Sequence, residues 1–181
     1  MIYPPSEDSF LLANEVERYI SKLKYNHLKV LDMGSGSGIQ AKTAIKAGAK
    51  KENVLCADIN EEAIKELKKQ KLSTIKSNLF SNIKGKFDLI IFNAPYLPED
   101  KYDKGIDTTA GKKGYEIIIK FLKQAKNRLN KEGIILLLFS NLSKPKIILS
   151  EAKKQKYKSE KLSEQDMGFF EKLFVYKIRR Q

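Results

Sequence analysis

Phe87-Asp88-Leu89-Ile90-Ile91-Phe92-Asn93-Ala94-Pro95-Tyr96 is the stretch whose reading decides the fold. Leu89 to Phe92 is apolar without alternation, the pattern of a strand covered on both faces in the middle of a parallel sheet. Pro95 has no N–H to give a ladder and cannot continue a central strand. The chain therefore leaves the sheet at the strand's carboxyl end, the edge where open α/β sheets hold their ligands. An amide, a proline and an aromatic ring arrive at that edge together.

Upstream, the pattern predicts alternating elements. Ser6 is positioned as an N-cap, with Glu7 and Asp8 at the positive helix end and Leu12, Val16, Ile20 and Leu23 at helical spacing. Leu28 to Asp32 reads as a strand, Ile39 to Ala47 as a helix and Val54 to Ile59 as a second strand. Asn60 caps a helix bearing Ala63, Ile64 and Leu67, and Leu72 to Lys76 is a third, short strand. Downstream, Leu97 to Gly114 is charged and glycine-containing and reads as a long functional loop. Tyr115 to Leu129 is an amphipathic helix, Ile134 to Phe139 a buried strand and Lys144 to Gln155 a helix. Lys156 to Leu162 and Glu171 to Ile178 are closing strands with no helix between them, hence an antiparallel hairpin. The fold class is α/β, a mostly parallel doubly wound sheet of seven strands with that hairpin at its C-terminal side.

At 181 residues the chain is expected to form one domain, residues 1–181, with 1–24 as an N-terminal lid helix segment. Cys56 is the lone cysteine, which excludes an internal disulfide framework and a cysteine-rich metal site; no metal is expected. The longest apolar run, Ile134 to Phe139, is far short of the roughly 20 residues a bilayer-spanning helix needs. Met1 leads directly into Tyr3-Pro4-Pro5 without a basic-then-apolar leader. A soluble cytoplasmic protein is expected, with no membrane partner. The net charge of +13 suits a nucleic-acid partner. The charges are nearly all lysines, however, spread along helices; the arginines are Arg18, Arg128, Arg179 and Arg180. Such lysine richness also follows from a solvated, heat-adapted surface.

Asp32-Met33-Gly34-Ser35-Gly36-Ser37-Gly38 lies between a predicted strand and helix. Glycines there allow a positive φ and close approach of a ligand to the backbone. Asp58 ends the next strand, twenty residues after Gly38, where an acid can take both hydroxyls of a ribose. The dinucleotide fingerprint wants its third glycine one place later, where this chain has Ile39. Asp32 would repel a pyrophosphate and welcome a cationic amino group. A ligand with a ribose, an amino group and little phosphate is S-adenosylmethionine.

These residues resemble the HemK/PrmC-type protein-glutamine methyltransferases, in the short archaeal and eukaryotic branch without a separate N-terminal domain. Four pieces carry the likeness: Tyr3-Pro4-Pro5-Ser6-Glu7-Asp8-Ser9-Phe10, the glycine turn, Asn93-Ala94-Pro95-Tyr96, and Gly111-Lys112-Lys113-Gly114 before a helix. Phe170-Glu171-Lys172-Leu173 is also similar to that branch. The usual Asn-Pro-Pro-Tyr has Ala94 here for its first proline; alanine keeps the backbone carbonyl, and Pro95 still favours extended geometry at Ala94. Asn78 stands where the family commonly has Asp.

The resemblance implies a Rossmann-like class I S-adenosylmethionine-dependent methyltransferase. It implies that Ser9, Asp32, Gly34, Gly36, Asp58, Asn78, Leu79 and Asn93 line the cofactor, and that Asp8 helps hold the lid. Asn93, Ala94, Pro95 and Tyr96 form the catalytic set. The Asn93 side-chain oxygen and the Ala94 carbonyl each accept one N–H of a planar NH2 group, and Tyr96 packs on the flat substrate. The implied substrate is the glutamine amide of the Gly-Gly-Gln motif of a class-I release factor. The implied partner is a small zinc-binding activator subunit covering an apolar sheet edge, for which Leu72 to Ile75 is the candidate. An adenine N6-methyltransferase on DNA or RNA needs almost the same acceptor pair, and a non-catalytic cofactor-binding scaffold is a third class. His27, the only histidine, reads as solvated surface before the first strand.

Overall fold

A computed structural model describes residues 4–23, 27–96 and 114–181. Tyr3, most of the 97–114 loop and Gly111-Lys112-Lys113 lie outside the described residues. Five α-helices are described: α1 (Glu7–Ile20), α2 (Ile39–Lys46), α3 (Glu61–Lys69), α4 (Glu116–Ala125) and α5 (Pro145–Lys154). The strands are β1 (Val30–Met33), β2 (Val54–Asp58), β3 (Ser73–Lys76), β4 (Phe87–Asn93), β5 (Leu129–Ser140), β6 (Tyr157–Gly168) and β7 (Glu171–Arg180).

They form one seven-stranded sheet in the order β3-β2-β1-β4-β5-β7-β6. The first five pair in parallel, and β7 runs antiparallel to both neighbours. The chain winds outward from β1 through β2 to β3, then returns to the other side of β1 as β4. Strand order reverses between β1 and β4, and a crevice opens at such a reversal because the two connections leave toward opposite faces.

Strand alternation feeds two cores. On one face Val30, Cys56, Leu89, Ile91, Leu136 and Leu138 pack with Leu12, Val16 and Ile20 of α1, Ala41 and Ala44 of α2 and Leu67 of α3. On the other, Leu31, Ile90, Phe92, Ile135 and Leu137 meet Ile118, Phe121 and Leu122 of α4 and Ile148 and Ala152 of α5. The apolar run of β4 is thus buried on both sides, as its lack of alternation requires.

Two boundaries differ from expectation. The helix expected to reach Leu129 stops at Ala125, and Leu129 instead pairs with Phe87 at the start of β5. Leu89 then pairs with Ile134, so Asn130 to Gly133 bulge out between the two pairings. Asn130 Nδ2 binds the Asp88 carboxylate, and a Cβ at Gly133 would lie 2.8 Å from the Phe87 carbonyl. Strand pairing outweighs the helical period here. Secondly, β6 and β7 run past their expected ends, because each continues pairing with the other up to Gly168 and Glu171. The connection from β3 to β4 carries no helix, in line with the sequence reading, and its Phe80 and Ile83 are buried in the core.

The β3 edge corrects the expected apolar surface. Leu72 is buried, Thr74 and Ile75 are half-buried, and the exposed positions are Ser73 and Lys76. Leu72 turns inward to fill the space beside Gly38, where a Cβ would come within 3.2 Å of its methyl. His27 is exposed, as expected.

Candidate functional site

The carboxyl ends of β1, β2, β3 and β4 enclose a cavity of about 410 Å³, in the range of small-molecule and cofactor sites. Its wall includes Asp8, Ser9, Gly34, Gly36, Gln40, Asp58, Asn78, Leu79 and Asn93 through Tyr96. Of the site residues expected from sequence, only Asp32 is missing from that wall.

The turn after β1 is shaped by its own backbone bonds. Gly34 and Ser35 donate N–H to the Ala57 carbonyl at 2.7 and 3.1 Å, and the Ser35 hydroxyl donates to the Asp32 carbonyl at 2.7 Å. Gly34 and Gly36 take φ of +64° and +50°, a region costly for other residues. Gly38 has a second constraint, since a Cβ there would sit 2.6 Å from a Leu67 methyl. The Gly36 N–H donates to one oxygen of Asp58 and the Asn60 N–H to the other, both at 2.8 Å. Each carboxylate oxygen can accept more than one hydrogen bond, so Asp58 is held in place with capacity for hydroxyl donors.

Asp32 sits differently from the other expected site residues. It is 1% exposed, and its carboxylate accepts the Ala41 N–H at 3.1 Å. It ties the first turn of α2 to β1 and is not among the residues that line the cavity. Burial pushes its pKa up to about 7, the Ala41 hydrogen bond opposes the rise and the nearby Asp58 charge adds to it.

After β3, Leu79 adopts a positive φ of 49°, and the Ser77 hydroxyl donates to the Leu79 carbonyl at 2.6 Å. That tight turn puts exposed Asn78 and half-buried Leu79 on the wall.

At the end of β4 the geometry is long-range. Asn93 Nδ2 donates to Asp8 Oδ2 at 3.0 Å, and the Tyr96 hydroxyl donates to the same oxygen at 3.4 Å. Asp8 Oδ1 accepts from the Ser9 N–H at 2.6 Å and the Ser9 hydroxyl at 3.2 Å. With its NH2 turned to a carboxylate, Asn93 directs Oδ1 the other way. That oxygen is buried and accepts no hydrogen bond. Ala94 is buried and joins the β5 ladder through its N–H to the Leu138 carbonyl at 3.3 Å, and the Tyr96 carbonyl accepts the Ser143 hydroxyl at 3.1 Å. Asp8, 85 residues from Asn93, is therefore a partner of the amide and more than a lid contact.

Sequence reasoning missed Gln40 and did not foresee the exposure of Phe169 and Phe170. Gln40 is buried on the wall, and no spacing rule marks it. Phe169 and Phe170 are fully exposed at the β6–β7 turn, both with positive φ. Asn141 clamps that turn, donating to the Phe170 carbonyl and accepting the Lys172 N–H, both at 2.8 Å. Glu171 beside it has a raised pKa, from burial first and the Asp8 charge second.

A doubly wound sheet with a glycine turn, a ribose-ready acid and an amide acceptor at its switch point defines a Rossmann-like group-transfer enzyme with a nucleoside cofactor. The comparisons agree. The model of the methyltransferase small domain matches residues 12–164. A Methanocaldococcus jannaschii protein assigned as a protein N5-glutamine methyltransferase is 35% identical over 171 residues, covering 88% of this chain and 82% of that one. The release factor glutamine methyltransferase of Lactococcus lactis is 31% identical over 140 residues, covering 67% of this chain and 51% of that one. The E. cuniculi Mtq2–Trm112 complex, described as responsible for methylation of the eRF1 termination factor, shares the fold at a TM-score of 0.80 and 24% identity, covering 99% of both chains. The chain belongs to the methyltransferase small domain family; it is an S-adenosylmethionine-dependent N-methyltransferase with a seven-stranded Rossmann-like sheet.

The cavity fits that donor. Its glycine floor admits a ligand close to the backbone, Asp58 has acceptor capacity for a ribose, and Ile59, Ala63 and Leu79 supply apolar wall for a flat base. Among the described residues no helix is long and apolar enough to cross a membrane, and no cluster of candidate ligands could hold a metal ion.

Proposed function

We propose that the chain methylates the side-chain amide nitrogen of a glutamine, in the Gly-Gly-Gln motif of a class-I translation release factor. One observation carries the chemistry. Asn93 presents a buried oxygen without a donor while Asp8 fixes its other end. A buried acceptor left unpaired costs roughly 1–3 kcal/mol, which an incoming N–H recovers. The Asn93 oxygen takes one hydrogen of the planar NH2, and the Ala94 carbonyl takes the second. Together they aim the nitrogen lone pair and stabilise the positive charge that grows on it. The bound donor supplies an electrophilic methyl on a sulfonium. The nitrogen becomes acidic as it is methylated, so no strong base is required of the protein.

In this reading Ser9, Gly34, Gly36, Asp58, Asn78, Leu79 and Asn93 hold the donor, and Tyr96 packs on the amide plane. Residues 1–181 act as one methyltransferase domain whose segment 1–24 closes over the cavity, with the α1 start held by Asp8. The exposed Phe169 and Phe170 offer a protein substrate apolar contact. A small activator subunit is a further partner, as the E. cuniculi complex supports; zinc in that subunit rests on the family resemblance. The site of action is the cytoplasm, where termination occurs. Relatives assigned to glutamine support the amide over an adenine amino group.

Purified chain with labelled S-adenosylmethionine, offered a class-I release factor or nucleic acid with and without activator, tests the reading. Label in the release factor is expected. Label in nucleic acid alone would transfer the site to adenine, and label in neither would leave a binding scaffold.

A further inference from the structure

We propose that Gln40, which lines the cavity where Asp32 does not, takes the α-amino group of the methyl donor through its side-chain oxygen. The assignment rests on the S-adenosylmethionine reading. Gln40 lies in the first turn of α2, is 3% exposed and forms part of the cavity wall. Its Nε2 donates to the Ser9 carbonyl at 2.9 Å. A carbonyl only accepts, so this bond fixes which end of the amide is which. The other end, Oε1, is buried and has no partner. Buried side-chain acceptors are nearly always paired, so an unpaired one on the wall of a ligand cavity points to a donor on the ligand.

The order of strands says which part of the ligand that is. Along the sheet edge the wall runs from Asn78 and Leu79 after β3, to Asp58 at β2, to the glycine turn after β1, to Asn93 at β4. A donor with its ribose at Asp58 and its base toward Leu79 sends its amino-acid end to the β1 turn, against the start of α2. Gln40 stands there. An ammonium is the strong donor in that part of the molecule, and a charge-assisted bond to a sheltered carbonyl oxygen is stronger than a neutral one. Gln40 also spans α1 and α2 through Ser9, so filling Oε1 secures the segment that carries Asp8.

The test is equilibrium binding by calorimetry on the full chain, with S-adenosylhomocysteine and its deaminated analogue, which keeps the carboxylate. The parent is expected to prefer S-adenosylhomocysteine. Gln40→Leu should weaken that ligand about tenfold or more and leave the deaminated analogue within about twofold, the size of a lost hydrogen bond to a charged group. Equal losses for both ligands, or none, overturn the assignment by reducing Gln40 to packing. Gln40→Glu keeps an acceptor and should retain the parent's preference even if the leucine variant fails to fold; loss of preference there also overturns it. A parent that binds neither ligand defeats the methyl-donor reading itself and the assignment with it.

Discussion

The two ends of the cavity are built differently. On the donor side, Asp58 is fixed by the N–H groups of Gly36 and Asn60, and the β1 turn is fixed by the carbonyls of Asp32 and Ala57. Each of these bonds has a backbone partner from a neighbouring strand end, and the side chains they use are the Asp58 acid and the Ser35 hydroxyl. On the acceptor side, Asn93 is held by a side chain 85 residues away, and its oxygen is left without a donor. The donor side is a preformed cradle. The acceptor side is an orientation device whose last hydrogen bond is left for the substrate.

Substitutions can break that contrast. The largest effect is expected at Asn93→Ala, where single-turnover methylation of a class-I release factor should fall about 10²–10³-fold, as for loss of one preorganised acceptor or donor at a transition state. Cofactor affinity measured by calorimetry should fall far less than the rate, because Asn93 is one of several residues that line the donor's cavity. Comparable rates for variant and parent would end the acceptor assignment.

Asp58→Ala should show the opposite split, with the dissociation constant for S-adenosylmethionine rising about tenfold or more. An unchanged constant would remove the ribose assignment. Between these lies Asp8→Ala. It frees the Asn93 amide to turn, so kcat should drop about tenfold with cofactor affinity little changed; a loss confined to cofactor binding would make Asp8 part of the donor side instead.

Asp32 sharpens the comparison through pH. Its pKa is raised by burial from an ordinary 3.8 to about 7, so the folded chain keeps a proton that the unfolded chain releases. The stability tied to that proton is complete below about pH 4 and is lost as pH rises through about 7. The D32N variant has no such titration, and its denaturation midpoint should fall less than the parent's across that window. Parallel profiles would show that the carboxylate is charged throughout. The smallest effect concerns Cys56, which is fully buried with its thiol pushed up to about 12 by burial and the Asp32 charge. Ellman's reagent should find no reactive thiol in the folded chain and one in denaturant.

Much of the donor side was legible because local rules produce it. Glycine spacing, an acid at the next strand end and an asparagine cap each act within a few residues or across one strand pair. The apolar run of β4, ended by Pro95, likewise placed the Asn93 edge correctly. The sequence misled where a local pattern met a tertiary demand. Helical periodicity carried α4 on to Leu129, but that residue completes a strand pair with Phe87. Asp32 looked like a ligand for a cation because it adjoins the glycine turn, yet its carboxylate is buried against the Ala41 N–H of α2 and does not line the cavity.

The sequence by itself determined the parallel sheet, the cofactor class and the residues that end β2 and β4, since hydrophobic period and turn chemistry act along the chain. Only the tertiary structure decided that Asp8 grips Asn93, that Gln40 stands with an unpaired oxygen on the wall and that Asp32 is not part of it. Those facts depend on how α1 and α2 pack over the switch between β1 and β4, and no spacing along the chain encodes the orientation of an amide across that gap.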